Sequence, residues 1–203
     1  HHHRKRMTQV VWRDRHRHQR NLALEGRQPV VGLLKVLVPP PLRRWHAAAA
    51  LAGVQLSTVG RGGLFTPEEA EGLLGGVLDE LASDSLPPGH QAAACRLRAG
   101  GTLIGWIYFA PDQHAEGVWN LWWIGVDPDH HGHGAGLHLL RHAEKIVSSK
   151  GGRVLVIETS DAPALAKARR FYEAQGYREC GRIPDFYSEG ESKVIFARRP
   201  RED

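Results

Sequence analysis

Apolar positions run nearly unbroken from Val30 to Val38, interrupted only by Lys35 and stopped by Pro39, Pro40 and Pro41, which predicts a first strand. After the prolines, Leu42, Trp45, Ala49 and Ala52 recur at helical spacing. The next helix carries the strongest start signal in the chain. Thr66 stands as N-cap, Pro67 at the first helical position and Glu69 three residues after the cap, a capping box. Leu73, Leu74, Val77, Leu78 and Leu81 form its apolar stripe, and residues 84–89 end it.

Three strands follow in the pattern, Gln91 to Arg98, Thr102 to Ala110 and Val118 to Val126. Their connections are short enough for an antiparallel meander. A glycine-rich turn then leads into a helix with Gly136, Leu139, Leu140, Ala143, Ile146 and Val147 on one face and His138, Arg141, His142 and Lys145 on the other. Val154 to Ile157 reads as a parallel strand buried on both sides. A further helix spans about Pro163 to Gln175, with Gly176 as its stop. Two last strands, Tyr177 to Ile183 and Lys193 to Arg198, complete an α/β series without internal repeat.

The chain has 203 residues, 41% hydrophobic and 24% charged, which fits one large globular domain and excludes a mostly disordered or fibrous protein. The net charge of +5 is concentrated at the N-terminal end. Residues 1–20 hold seven Lys or Arg against the single acid Asp14, whereas residues 21–203 hold 20 bases and 21 acids. Attraction to a polyanion would thus be a weak, salt-sensitive property of a basic arm and not of the folded surface. We divide the chain into a flexible basic tail over 1–28, a single domain over 29–199 and a short tail over 200–203. His1 to Arg6, which precede the sole methionine Met7, are set aside from the fold. Cys95 and Cys180 supply neither a disulfide framework nor a thiolate metal site, and no apolar stretch spans a bilayer. These features, and the absence of a recognisable signal peptide, lead us to expect a cytoplasmic protein; a homodimer is left open.

The densest chemical signal is Ile124-Gly125-Val126-Asp127-Pro128 followed by His130-His131-Gly132-His133-Gly134-Ala135-Gly136-Leu137. Glycines there bring backbone N–H groups close to a ligand, and the helix start adds about half a positive charge, which suits a diphosphate. A tight strand-to-helix turn explains the same glycines without any ligand. A P-loop is excluded, because no Lys-Ser or Lys-Thr pair follows. A dinucleotide site is a runner-up: Glu158 lies 22 residues after Gly136, but the third glycine of that fingerprint is missing and an antiparallel meander precedes the turn.

The segment resembles motif A of the GNAT superfamily of N-acetyltransferases, with His131 at the Gln/Arg position and Gly134 and Gly136 as the two glycines. Phe171-Tyr172-Glu173-Ala174-Gln175-Gly176-Tyr177 is similar to the family's second block, while Leu165 stands where many members carry Asn. The resemblance implies a mixed, mostly antiparallel central sheet flanked by helices, with a parallel strand pair splayed around an acyl-CoA site. It also implies acetyl-CoA as co-substrate, a primary amine on a small molecule or peptide as acceptor, and direct attack of that amine on the thioester. In that arrangement the pantetheine arm bonds the backbone near Ile124 and Val126, and His131, Gly132, His133, Gly134, Ala135, Gly136 and Leu137 cradle the diphosphate.

Such chemistry needs a proton for the departing thiolate and a base for the amine. Tyr172 is the expected donor, its bland alternative being an aromatic that anchors the helix end. Glu158, at the end of the buried strand, and Asp185, in the loop after the following strand, are alternative bases. Trp122, Trp123, Phe186 and Tyr187 line the expected acceptor pocket, and strand alternation would place only one of the two tryptophans on that side. His130, His131 and His133, with His138 and His142 four apart on a helix, resemble a metal-ligand set, but His138 and His142 fall on the polar stripe with Arg141 and Lys145, so a solvated helix face is the better reading and no metal is expected. The rival functions are a non-catalytic acyl-CoA-binding module, a dinucleotide-binding protein and a polyanion binder.

Overall fold

The computed structural model describes residues 31–32, 88–97 and 103–200. The basic tail, the strand beyond Val31–Gly32 and the two helical patterns between residues 42 and 81 lie outside the described residues. Among the described residues, seven strands form one sheet in the order β1-β2-β3-β4-β5-β7-β6. They are β1 (Val31–Gly32), β2 (Gln91–Leu97), β3 (Leu103–Pro111), β4 (Val118–Val126), β5 (Val154–Ser160), β6 (Arg178–Ser188) and β7 (Glu191–Arg198). Helix α1 (Ala135–Ser149) follows β4, and α2 (Ala166–Ala174) follows β5 after a single 3₁₀ turn at Pro163–Leu165. Every neighbouring pair is antiparallel except β4 and β5. This is the mixed, mostly antiparallel sheet that the resemblance implied.

The helical face of the sheet holds the core. Leu139, Leu140, Ala143 and Val147 of α1 pack with Ile107, Phe109, Leu121 and Ile124, and Tyr172 of α2 packs with Phe196 and Tyr177. Truncating a buried leucine such as Leu140 to alanine costs about 2–5 kcal/mol in a site of this kind. Buried among these apolar groups is Glu144, which accepts from the Tyr177 hydroxyl at 3.0 Å and faces the guanidinium groups of Arg198 and Arg141, each at 3.5 Å. The amphipathic pattern of α1 did not foretell a buried carboxylate; its partners come from β7, from the segment after α2 and from its own helix.

Three expectations need correction. Although Val154 to Ile157 is continuously apolar, burial alternates along β5, because only Leu155 and Ile157 face the helices. The strand β6 continues past Ile183 to Ser188, so Asp185 lies within a strand and not in a following loop. There the pairing with β7 jumps from Ile183↔Lys193 to Ser188↔Glu191, and Asp185 adopts a left-handed φ of 51°. Finally, His142 is half-buried, and desolvation pushes its imidazole below the usual histidine range, so that side of α1 is not fully solvated.

Candidate active site

Hydrogen bonding between β4 and β5 starts at Val118↔Val154 and stops at Leu121↔Ile157. Each strand continues, to Val126 and Ser160 respectively, but the two no longer pair. The outer edges of both stay occupied, β4 by β3 as far as Val126 and β5 by β7 as far as Ser160. Two facing edges of main-chain donors and acceptors are thereby left to an extended guest, which can add to them as a strand would.

A bulge coincides with the divergence. Tyr108 pairs with Trp123 and Phe109 with Leu121, so Trp122 is an extra residue in β4. Bulges bend a strand and increase its twist. This one also defeats simple alternation: Trp123 stacks on Trp106 at 5.6 Å, while Trp122 meets Tyr108 edge-on at 5.7 Å. Trp106 and Tyr108 share one face of β3, so both tryptophans reach the face away from α1, where one alone was expected. His90 completes the cluster, with its Nδ1 2.5 Å from the Tyr108 hydroxyl and its ring 5.3 Å from Trp122.

Beyond β4 the chain turns on Asp127-Pro128. The Asp127 carboxylate accepts from the Asp129 amide at 2.9 Å, capping the 3₁₀ turn Pro128–His130. Gly132 and Gly134 then take φ of +81° and +83°, values that L side chains rarely adopt. Gly134 is the N-cap of α1 and brings no side-chain cap. Among the described residues, none of the backbone N–H groups from Gly132 to Leu137 has a protein hydrogen-bond partner. A helix end with free donors, exposed from Gly132 to Gly134, has the chemistry that suits an anion. His131 does something the motif did not indicate. Its Nε2 donates to the Val126 carbonyl at 2.8 Å, which ties the loop back to the strand end and leaves that carbonyl one lone pair for other donors.

On the β5 side, Tyr172 of α2 is fully buried, its ring packed by Phe171, Tyr177 and Phe196, and its hydroxyl has no hydrogen-bond partner. Desolvation pushes the phenol well above its ordinary value. A buried unpaired hydroxyl costs free energy, so the helix is not using it for stability. The loop that carries α2 is pinned by Arg169, which donates to the carbonyls of Ser160 at 2.7 Å and Ala162 at 2.9 Å. Leu165 is buried in the 3₁₀ turn and offers no polar group.

Glu158, one residue past the last β4–β5 pair, is held by the Lys193 ammonium at 2.5 Å. That ammonium sits 4.3 Å from the centre of the Phe186 ring, and Tyr187 lies edge-on to Phe186 at 5.0 Å. Asp185 is exposed and spends one oxygen on the Gly190 amide at 2.7 Å, closing the β6–β7 hairpin. Glu158, Lys193 and Phe186 are therefore gathered at one place. Sequence reasoning noted Lys193 only within a Gly190-x-x-Lys193 piece and assigned no role to it or to Arg169: both acquire their partners through the β5–β7 pairing and the packing of α2. Among the described residues no group of three or more His, Cys, Asp or Glu side chains is placed to hold a metal ion.

The family model for the acetyltransferase (GNAT) family matches residues 66–177, more than half of the chain. The chain belongs to the GNAT acetyltransferase family. It is an acetyltransferase by class. Among solved structures, a protein of Desulfovibrio desulfuricans assigned as a GNAT-family acetyltransferase is 30% identical, with a TM-score of 0.68 over 77% of this chain and 94% of that one. An aminoglycoside 6'-N-acetyltransferase solved with coenzyme A is 18% identical, with a TM-score of 0.58 over 86% of this chain and 99% of that one. The ribosomal-protein-S18-alanine N-acetyltransferase of Escherichia coli is 17% identical, with a TM-score of 0.56 over 85% and 94% of the two chains. At such identities the last two comparisons speak for the GNAT fold alone. No curated protein matches the sequence. Among the described residues, no helix is long and apolar enough to cross a membrane.

Proposed function

We propose that this GNAT protein transfers an acetyl group from acetyl-CoA to a primary amine by direct attack on the thioester, within a single domain spanning 29–199. The observation that carries the reading is the run of free backbone donors from Gly132 to Leu137 at the start of α1, set beside the unpaired edges of β4 and β5. A diphosphate is matched by the first and an extended amide-bearing arm by the second. The arm would add to β4 through main-chain groups of Ile124 and Val126, as a strand adds to a sheet.

The acceptor enters from the face away from α1, where the aromatic cluster around Trp122 and the group Glu158, Lys193 and Phe186 lie. The nitrogen attacks the thioester carbon as a neutral amine, with main-chain N–H groups on the open β4 edge stabilising the developing oxyanion. As the N–C bond forms and the C–S bond breaks, the nitrogen loses one proton and the sulfur gains one. Tyr172 serves this exchange from α2. Its phenol, raised by burial above the ordinary value of 10.0, stays protonated at neutral pH. An unperturbed thiol titrates at about 8.5, so the hydroxyl first donates a hydrogen bond to the thiolate, then passes its proton to sulfur as it takes one from the amine, and ends protonated as it began. Glu158 is the better-placed base, since Asp185 is committed to the β6–β7 hairpin.

A panel of primary amines assayed for thiol release from acetyl-CoA tests the reading. Turnover with at least one amine, together with calorimetric binding of acetyl-CoA but not of NAD, is the expected result. Absence of acetyl-CoA binding at millimolar concentration would overturn it.

A further inference from the structure

Lys193 carries a nucleophilic amine that the mechanism above does not use. Its backbone pairs with Ser160 of β5, yet its ammonium lies 2.5 Å from Glu158, two residues nearer to the place where β4 and β5 separate. The two side chains therefore meet diagonally across the β5–β7 pairing, bridging backbone positions about 7 Å apart along the strand, the rise of two residues. The carboxylate that the amine meets belongs to the residue that follows the last β4–β5 pair, Leu121↔Ile157. Lys193 is only 8% exposed, and the Phe186 ring covers the nitrogen at 4.3 Å. A primary amine is thus held against a carboxylate that can take its proton, and that carboxylate stands at the apex of the cleft assigned to the thioester. A surface ion pair does not need the burial of Lys193.

We propose that the enzyme acetylates its own Lys193; the proposal rests on the acetyl-CoA reading given above. Glu158 takes one proton from the Lys193 ammonium, and the neutral Nζ attacks the thioester carbon. The N–C bond forms, the C–S bond breaks, and the second proton leaving nitrogen goes to sulfur by way of Tyr172. Lys193 becomes a neutral amide, coenzyme A leaves as the thiol, and the proton on Glu158 returns to solvent. The modification removes the positive charge beside Glu158 and frees that carboxylate to meet an ammonium on an incoming acceptor.

The test is mass spectrometry of the full chain, freed of prior acetylation and incubated with acetyl-CoA, following Lys193 against the exposed Lys150 at the end of α1 as internal background. Lys193 should be modified at least about tenfold faster than Lys150, the advantage of a positioned intramolecular amine. A simple acetyl thioester lacking the diphosphate should erase the preference, and so should Tyr172→Phe. Glu158→Gln should slow modification of Lys193 without changing that of Lys150. If soluble amines are turned over while Lys193 is modified no faster than Lys150, the self-acetylation proposal falls and the enzymatic reading stands. If neither turnover nor acetyl-CoA binding is found, both fall together.

Discussion

The two walls of the cleft are built in different ways. The β4 wall, with the turn that follows it, presents main chain: an open strand edge, two left-handed glycines and the free amides at the start of α1. The opposing wall presents side chains from three separate elements, Glu158 from β5, Lys193 from β7 and Phe186 from β6. The first wall suits a ligand that never varies. The second can change from one relative to another without disturbing the sheet, because its residues meet only through the β5–β7–β6 pairing. Under the proposed function, binding of the donor and choice of the acceptor fall to different kinds of chemistry.

The largest effect that would sharpen this division belongs to Tyr172. Its phenylalanine variant should lose about 100-fold or more in kcat, as expected for a proton-transfer group, with acetyl-CoA affinity unchanged by calorimetry. Equal turnover in the two proteins would remove Tyr172 from the chemistry and leave it as core packing. Next comes the main-chain wall. At Gly134 an added Cβ meets no atom within 4 Å, so the effect of Gly134→Ala comes from the φ of +83° alone. Forcing a non-glycine residue into that conformation costs about 1–3 kcal/mol, equivalent to roughly a 5- to 150-fold weaker acetyl-CoA complex if the cradle relaxes to relieve it. An unaltered dissociation constant would place the diphosphate elsewhere.

Smaller effects fall outside both walls and should leave the division intact. Tyr177→Phe deprives the buried Glu144 of a donor and should lower unfolding stability by about 1–3 kcal/mol in denaturant titrations, with little change in KM for either substrate. His142 has a folded-state pKa below its ordinary 6.5, so the unfolded chain binds the proton more tightly. Its contribution is fully present above that value and is lost as pH falls through and below it. Replacing it with glutamine should flatten the acid limb of a melting-temperature profile; an unchanged limb would show that other groups set it.

The same contrast explains what could be read from the chain. The β2–β3–β4 meander, the parallel strand β5 and the start of α1 follow from local patterns: alternation, short hairpin connections, and glycines spaced at a strand-to-helix turn. The main-chain wall was legible for that reason, since Gly132 and Gly134 declare their conformations in the sequence. The side-chain wall was half legible. Glu158 and Phe186 stood out as chemistry-bearing residues, but the bond from Glu158 to Lys193 spans 35 positions and exists only once β7 lies beside β5. The Trp122 bulge was invisible for a related reason: an inserted residue is defined by its partner strand, here Tyr108 and Phe109, and by nothing in its own segment. Asp185 misled because a proline-aspartate pair reads as a turn, whereas here it bends a strand that then continues.

That bend reaches beyond the reaction. The strand β6 is the outermost of the sheet, 11 residues long and mostly exposed, with Ile183 and Phe186 facing water. A straight ribbon of that length would invite another chain to zip onto it and begin an aggregate. Pro184 contributes no amide hydrogen and Asp185 twists the backbone left-handed, so the invitation is interrupted near its middle. Straightening this segment, for instance by Pro184→Val together with Asp185→Thr, would convert a soluble margin into a sticky one, at a cost in solubility that no assay of acetyl transfer would reveal.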